Sequence, residues 1–129
     1  MIEDLVNRLR KRQKHLRKWA RRRDITCYRL YEKDLPDQPL IIDWYDGDVV
    51  LWTLQRTRNE TDEQEQEWVL DVCDSVIEAL QIKPNQLFLK QRRRQRGLFQ
   101  YEKYGRSNHT KVVTEGGLKF EINFSDYLD

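Results

Sequence analysis

The first 22 residues of the chain place their apolar side chains at the spacing of one helix face. Apolar residues recur there at steps of three and four, which predicts a helix from about Ile2 to Arg22 with a single buried stripe. The members of that stripe are Ile2, Leu5, Val6, Leu9, Leu16, Trp19 and Ala20. The rest of the circumference is basic, so the chain begins with an amphipathic helix that has one apolar and one cationic side.

Short segments rich in β-forming residues follow this helix. The predicted strands are Thr26–Tyr31, Leu40–Tyr45 and Asp48–Leu54. Pro36 and Pro39 bracket a turn between the first two of them. Asp46 and Gly47 join the second and third, and both residue types tolerate the positive φ angles that a tight hairpin needs. A β-meander is therefore expected after the helix.

A second helix is predicted to begin after Thr61. Thr61 is a good N-cap, and the acidic residues that follow it favourably face the positive end of the helix dipole. Lys83 and Pro84 end the helix, because the residue before a proline is disfavoured in helical geometry. The predicted buried stripe consists of Trp68, Val69, Val72, Cys73, Val76, Ile77 and Leu80.

Three further strands complete the pattern. They are predicted at Leu87–Lys90, Lys111–Glu115 and Leu118–Phe124, and Gly116 with Gly117 joins the last two as a hairpin. The charged segment between them, Gln91 to His109, is interpreted as a loop or an extended β-ribbon. Residues 1–129 are thus predicted to form a single small α+β domain of order αβββαβββ, with two helices and an antiparallel or mixed sheet.

The composition fits a folded domain of the cytoplasm. Hydrophobic residues make up 38% of the chain and charged residues 36%, which allows a core beneath an unusually polar surface. Cys27 and Cys73 lie in apolar segments without a CxxC pair, so both are interpreted as buried thiols in a reducing compartment. No apolar run approaches the length of a membrane span, and no membrane partner is expected.

Cationic side chains concentrate in two parts of the chain, which together hold 17 of its 24 Lys and Arg residues. The first part spans residues 8–23, on the N-terminal helix, whose basic side is expected to face a polyanion. The candidate RNA-binding residues on this helix are Arg8, Arg10, Lys11, Lys14, Arg17, Lys18 and Arg21.

The second basic part spans residues 90–106, where the cations are interleaved with Phe99, Tyr101 and Tyr104. Guanidinium groups match phosphate oxygens and aromatic rings stack on unpaired bases, so this combination favours RNA, although charge alone does not exclude DNA. The aromatic residues could equally be packing anchors of the loop. The candidate RNA-binding residues here are Lys90, Arg92, Arg94, Gln95, Tyr101 and Lys103.

An acidic segment lies between these two basic clusters in the sequence. Residues 60–78 carry eight Asp and Glu residues and no Lys or Arg. The simpler interpretation is internal balance, in which the acidic helix lies beside the basic one and neutralises part of it. The alternative is that the acidic side repels RNA and so orients it on the domain.

The sequence contains no catalytic motif. The sequence has no GxGxxG, no P-loop, no GxSxG and no HExxH, and His15 and His109 have no catalytic partner at a motif spacing. Asp43, Asp46 and Asp48 could suggest a cation site or a general base, but a hairpin turn explains them more simply. No catalytic, cofactor-binding or metal-binding residue is predicted in this chain.

Matching residues run along almost the whole chain and resemble one family. The matched residues are Asn7–Lys11, His15–Arg21, Cys27–Tyr31, Asp34–Pro36, Asp43, Tyr45, Leu89, Lys90, Arg92, Arg94, Gln95, Gly97, Gln100–Lys103, Asn123 and Asp126–Asp129. They resemble the C-terminal, 7-methylguanine-forming half of the bifunctional bacterial methyltransferases that modify guanines of 23S ribosomal RNA. The match lies in the small α+β domain that precedes the catalytic domain, and the acidic segment matches much less well.

The resemblance implies a supporting role in a larger enzyme. Each half of such an enzyme has its own Rossmann-like domain for S-adenosylmethionine, and here that domain would follow Asp129, so the parent would be a methyltransferase and this chain alone inactive. A similar domain in related 5-methylcytosine methyltransferases lines the RNA cleft. The implied partners are 23S ribosomal RNA and the adjacent methyltransferase domains of the same polypeptide. The alternative is an interdomain scaffold without direct RNA contact, whose signature would be an exposed apolar patch.

Overall fold

The structure is a computed structural model that describes residues 1–56 and 59–91, and the backbone of 110–115 and 118–123. Its elements in chain order are α1 (Glu3–Arg22), β1 (Cys27–Glu32), β2 (Leu40–Tyr45), β3 (Asp48–Thr53), α2 (Asp62–Leu80), β4 (Leu87–Gln91), β5 (Thr110–Glu115) and β6 (Leu118–Asn123). A short 3-10 turn, Pro84–Gln86, precedes β4. The predicted α+β class and the order αβββαβββ are confirmed.

Four of the strands form one mixed sheet in the order β1-β2-β3-β4. β1 pairs with β2 and β2 with β3 in antiparallel orientation, whereas β4 runs parallel to β3. Parallel neighbours need a long crossover between them, and α2 lies in that connection. β5 and β6 pair with each other as a separate antiparallel sheet.

Local sequence signals fix the ends of several elements. Asp46 (φ 49°) and Gly47 (φ 101°) both lie at positive φ, as the predicted two-residue hairpin between β2 and β3 requires. Thr61 caps α2 by accepting a hydrogen bond from the backbone N–H of Gln64, whose side chain accepts one from the N–H of Thr61. The predicted hairpin turn at Gly116 and Gly117 lies outside the described residues.

The main core lies between the two helices and one face of the sheet. It includes most of the predicted stripes, with Leu5, Val6 and Leu9 from α1 and Trp68, Val69, Val72 and Val76 from α2. A smaller cluster on the other face consists of Ile41, Val50, Trp52 and Phe88. Each large apolar side chain buried in this way contributes about 1.5–3 kcal/mol relative to exposure.

The prediction that both thiols are buried is half correct. Cys73 is fully buried on α2, but Cys27 is only partly buried, because β1 is an outer strand of the four-stranded sheet. Neither helix of the described residues has an apolar stretch long enough to cross a membrane.

Candidate nucleic-acid interface

The basic side of α1 faces solvent. All seven cations predicted there are exposed, while the opposite side of the helix packs against β1 and α2. The seven are Arg8, Arg10, Lys11, Lys14, Arg17, Lys18 and Arg21. The amphipathic pattern of the sequence therefore produces one solvent-facing cationic helix surface.

Cations near the start of α1 form ion pairs within the chain. Arg8 Nε lies 3.0 Å from a carboxylate oxygen of Asp34, which also lies 3.9 Å from Arg12 Nε. Arg10 reaches Glu78 of α2 at 3.3 Å. The acidic helix thus lies beside the basic one, as internal balance predicts, but a single side-chain ion pair joins the two helices among the described residues.

Five other cations of α1 are different. Among residues 1–56 and 59–91, no ion pair forms with Lys11, Lys14, Arg17, Lys18 or Arg21. Exposed guanidinium and ammonium groups of this kind can approach phosphate oxygens without first breaking an internal pair. The cationic surface available to a ligand is therefore centred between Lys11 and Arg21.

A groove lies beside the C-terminal end of α1, and we call it the α1 groove. Its volume is about 460 Å³, and its lining residues are Arg17, Ala20, Arg21, Asp24, Ile25, Thr26, Tyr28, Trp44 and Asp46. The rings of Tyr28 and Trp44 are stacked, with centroids 6.5 Å apart and planes 23° from parallel. Two predicted RNA-binding residues, Arg17 and Arg21, thus lie beside an aromatic pair that no sequence pattern had assigned to a site.

A β-bulge creates this aromatic pair. Tyr31 pairs with Ile42, but beyond Leu30 the register shifts by one, so that Arg29 lies opposite Asp43 and Tyr28 opposite Trp44. Directly opposed residues of an antiparallel pair project from the same face. Without the shift, Trp44 would lie opposite Arg29.

The side chain of Tyr28 is anchored to α1 by a hydrogen bond. Its hydroxyl donates a hydrogen bond to Oε1 of Gln13 at 2.6 Å, and Gln13 is only 6% exposed. Burial raises the pKa of Tyr28, while the charge of Arg17 and the bond to Gln13 act in the opposite direction. Nε2 of Gln13 has no hydrogen-bond partner within the described residues, and such a buried donor costs about 1–3 kcal/mol.

The second predicted basic cluster is only partly described. Lys90 lies on β4 and is only 6% exposed, so its ammonium is not part of the exposed cationic surface of α1. Arg92, Arg94, Gln95, Tyr101 and Lys103 lie outside the described residues, as does His109. The other histidine, His15, is an exposed residue of α1, as expected.

One of the acidic residues around the β2–β3 hairpin, Asp43, is paired with an arginine. Asp43 accepts hydrogen bonds from two guanidinium nitrogens of Arg29, at 2.8 and 3.2 Å. This hydrogen bonding raises the pKa of Arg29 further, which keeps its guanidinium charged. No group of three potential metal ligands comes together in the described part of the chain. The interpretation of Asp43 as structural is consistent with this pairing.

The architecture recurs in larger enzymes. A solved structure assigned as a methyltransferase, SMU.776 in complex with SAH, superposes on 98% of this chain with a TM-score of 0.62 at 14% identity, through 30% of its own length. A structure from Streptococcus mutans assigned as a SAM-dependent methyltransferase superposes equally well, at 13% identity through 31% of its length. These likenesses place the chain in the same fold class. No protein-family model matches the chain.

Sequence similarity points to one kind of protein. The chain is 39% identical over 123 residues to "Ribosomal RNA large subunit methyltransferase K/L" of Hahella chejuensis, which covers 95% of this chain and 17% of the relative. The protein of the same name from Magnetococcus marinus is 40% identical over 124 residues, and that from Legionella pneumophila (strain Lens) 41% over 125. The chain therefore spans less than a fifth of the length of these relatives, as the 17% and 18% coverages show.

Proposed function

We propose that this chain is the RNA-positioning domain of a ribosomal RNA large subunit methyltransferase. Two observations support the proposal. Almost the whole chain matches a segment of proteins with that name at 39–41% identity. The exposed side of α1 carries five cations, from Lys11 to Arg21, that have no internal ion pair in the described residues, and this cationic surface is the observation that carries the RNA-binding role.

The finer assignment concerns the parent enzyme. The proposed parent works in the cytoplasm on 23S ribosomal RNA, and this domain belongs to its 7-methylguanine-forming half. Residues 1–129 form one domain, and S-adenosylmethionine binds to an adjacent methyltransferase domain of the same polypeptide. No residue of this chain is assigned to the cofactor or to methyl transfer, because the sequence has no glycine-rich cofactor loop.

The proposed role is to hold RNA in register for a neighbouring active site. Lys11, Lys14 and Lys18 contact phosphates as point charges, and Arg17 and Arg21 can make bidentate contacts. Such contacts fix position and orientation without reading sequence. Arg92, Arg94 and Lys103 are proposed to extend the phosphate contacts, with Gln95 and Tyr101 beside the bases.

An interdomain scaffold is the second candidate. It is favoured by the ion pairs of Arg8 with Asp34 and of Arg10 with Glu78, which show that some cations of α1 already serve protein carboxylates. The apolar patch expected of a scaffold is small in the described residues, where Met1 and Leu70 are the exposed large hydrophobic side chains. We therefore favour RNA positioning.

The test is a salt titration of binding between the 129-residue chain and a hairpin from large-subunit ribosomal RNA. Lys14→Gln/Lys18→Gln removes two exposed cations of α1, and Lys33→Gln/Lys83→Gln removes two exposed cations elsewhere as a matched control. For the α1 variant we expect the negative slope of log K against log salt to become shallower, by about 0.9 for each lost duplex contact. The control should change the slope by less than half as much.

Two outcomes decide between the candidates. A smaller slope in the α1 variant alone supports RNA positioning, and a parallel loss in Arg92→Ala/Arg94→Ala/Lys103→Ala would extend the interface to the second cluster. Equal slopes for both double variants, or no measurable binding of the hairpin, would overturn the proposal in favour of the scaffold.

A further inference from the structure

We infer that the α1 groove binds a single unpaired RNA nucleotide, with its base against Tyr28 and Trp44 and its phosphate against Arg17 and Arg21. The inference rests on the proposed function, because it takes RNA as the ligand. To the proposed function the inference adds a defined site and a preference for unpaired over paired nucleotides. The groove lies on the same cationic surface that would hold the phosphate backbone.

The size of the groove suits one nucleotide. Its volume of about 460 Å³ lies at the small end of the range for ligand sites, which is about 300–1,000 Å³. A base inside a duplex is stacked on its neighbours, so its ring faces are not available to pack on an aromatic pair. The groove is open to solvent along the side of α1, so the neighbouring nucleotides of a strand can follow the exposed cations.

The aromatic pair provides the surface for the base. Tyr28 and Trp44 are both partly buried, so each ring is fixed by packing on the core and still lines the groove. The hydrogen bond from Tyr28 to Gln13 fixes the ring further. Bases stack on such rigid aromatic surfaces with little dependence on sequence.

The charges of the groove indicate where the phosphate lies. Arg17 and Arg21 lie one helical turn apart on the same side of α1, which is the spacing at which two guanidinium groups can share one phosphate. Asp24 and Asp46 also line the groove and would repel a phosphate placed beside them. We therefore assign the phosphate to Arg17 and Arg21 and the polar edge of the base to the two aspartates.

This arrangement also sets a base preference. A carboxylate accepts hydrogen bonds from exocyclic amino groups, as in the pairing of Asp or Glu with the amino group of cytosine. Adenine, cytosine and guanine carry such a group and uracil does not. The groove should therefore bind a nucleotide of the first three types more tightly than uridine.

The experiment measures binding of the 129-residue chain to a single-stranded RNA pentamer that contains all four bases. The comparison ligands are the same pentamer sequence within a blunt-ended duplex and a pentamer of uridine. Binding is followed by anisotropy of a dye on the RNA, and far-UV circular dichroism confirms that each variant is folded. The wild-type chain should prefer the mixed single strand to both comparison ligands.

Each test variant has a matched control. Trp44→Leu removes a ring of the groove, and Trp19→Leu removes another partly buried tryptophan that lies under Arg23 and outside the groove. Arg21→Gln removes a groove cation, and Arg22→Gln removes its exposed neighbour, which does not line the groove. We expect Trp44→Leu and Arg21→Gln each to weaken pentamer binding about tenfold, and the controls by less than about twofold.

The outcomes separate this inference from the proposed function. If Trp44→Leu and Trp19→Leu bind the pentamer equally well, or if duplex binds as tightly as single strand, the nucleotide site is wrong. Should the ribosomal RNA hairpin still bind with a slope that depends on Lys14 and Lys18, RNA positioning would stand without it. If Trp44→Leu does not fold, Arg21→Gln against Arg22→Gln remains the deciding pair, since both are exposed residues of the same helix.

Discussion

Two grooves of the molecule contain the same kinds of side chain and differ in how those side chains are paired. One is the α1 groove. The other, which we call the α2 groove, has a volume of about 530 Å³ and is lined by Ile2, Gln38, Arg56, Asn59, Glu60, Gln64, Glu67, Trp68 and Asp71. Each groove is lined by a tryptophan and at least one arginine. The residue types of the lining alone would therefore assign both grooves to nucleic acid.

In the α2 groove the arginine and the tryptophan are satisfied within the chain. Arg56 donates two hydrogen bonds to Glu60, at 2.8 and 2.7 Å, and its guanidinium lies 4.6 Å from the ring centroid of Trp68. Trp68 Nε1 donates to the side-chain oxygen of Gln38 at 2.7 Å. Glu67 and Asp71 add negative charge, so this groove would repel a phosphate.

In the α1 groove the corresponding arginines are paired neither with the rings nor with carboxylates in the described residues. Arg17 and Arg21 have no ion pair among the described residues, and the ring pair Tyr28–Trp44 has no guanidinium packed over it in the same part of the chain. The presence of Arg and aromatic residues therefore does not distinguish a binding site from a structural contact. The distinction lies in whether their charges and ring faces are already occupied.

The largest effect that would test this contrast is a loss of stability in the α2 groove. Trp68 is buried in the main core, and Trp68→Ala should lower the free energy of unfolding by about 3–5 kcal/mol because it leaves a cavity. Urea unfolding followed by circular dichroism measures this loss. At low urea, the folded fraction should bind RNA as the wild type does.

Its counterpart in the α1 groove is Trp44→Leu. Trp44 is only partly buried, so we expect a loss of about 1 kcal/mol, within the usual range for single substitutions. A loss for Trp44→Leu as large as that for Trp68→Ala would contradict the division into one structural and one ligand-binding groove.

The sequence alone predicted the elements well because their signals are local. The stripes of α1 and α2, the cap at Thr61 and the positive φ angles at Asp46 and Gly47 each depend on residues a few positions apart, and all are present. The parallel pairing of β4 with β3 was left open as an antiparallel or mixed sheet. Strand order depends on contacts distant in sequence, which no local pattern encodes.

The candidate site was predicted only in part, for the same reason. Charge and helical spacing identified Arg17 and Arg21, because one element carries both. Tyr28 and Trp44 come together only through the bulge at Leu30, and a one-residue shift of register cannot be located from the composition of two strands. The burial of Lys90 was missed because its neighbours in the sequence are strongly basic, whereas every residue of its strand, β4, is buried.

An effect smaller than that of Trp68→Ala is expected when the ion pair of the α2 groove is broken. The side chains of Arg56 and Glu60 are 12% and 15% exposed, so the pair is largely screened from water. Arg56→Gln should lower the free energy of unfolding by about 2 kcal/mol, below the cost for a fully buried pair, and leave RNA binding unchanged. Arg21→Gln should do the reverse, with no change in stability and weaker binding. If Arg56→Gln weakens RNA binding as much as Arg21→Gln, the two grooves are not functionally distinct.

The last effect concerns pH and belongs to α2, the helix that lines one side of the α2 groove. Burial, and secondarily the charge of Asp74, raises the pKa of the Cys73 thiol from 9.0 to about 12. The native state therefore keeps a proton that the unfolded chain loses above pH 9, so the stability that this group contributes is full below that pH and is lost as the pH rises toward 12. Between pH 8 and 10 the free energy of unfolding should fall by about 1 kcal/mol on account of Cys73.

Cys73→Ala lowers stability at every pH but should remove this part of the decline, so urea unfolding of both proteins at pH 8, 9 and 10 isolates it. Equal declines in the two proteins would mean that the thiol is not shielded in the core, and that the α2 side of the domain is more open than its packing indicates.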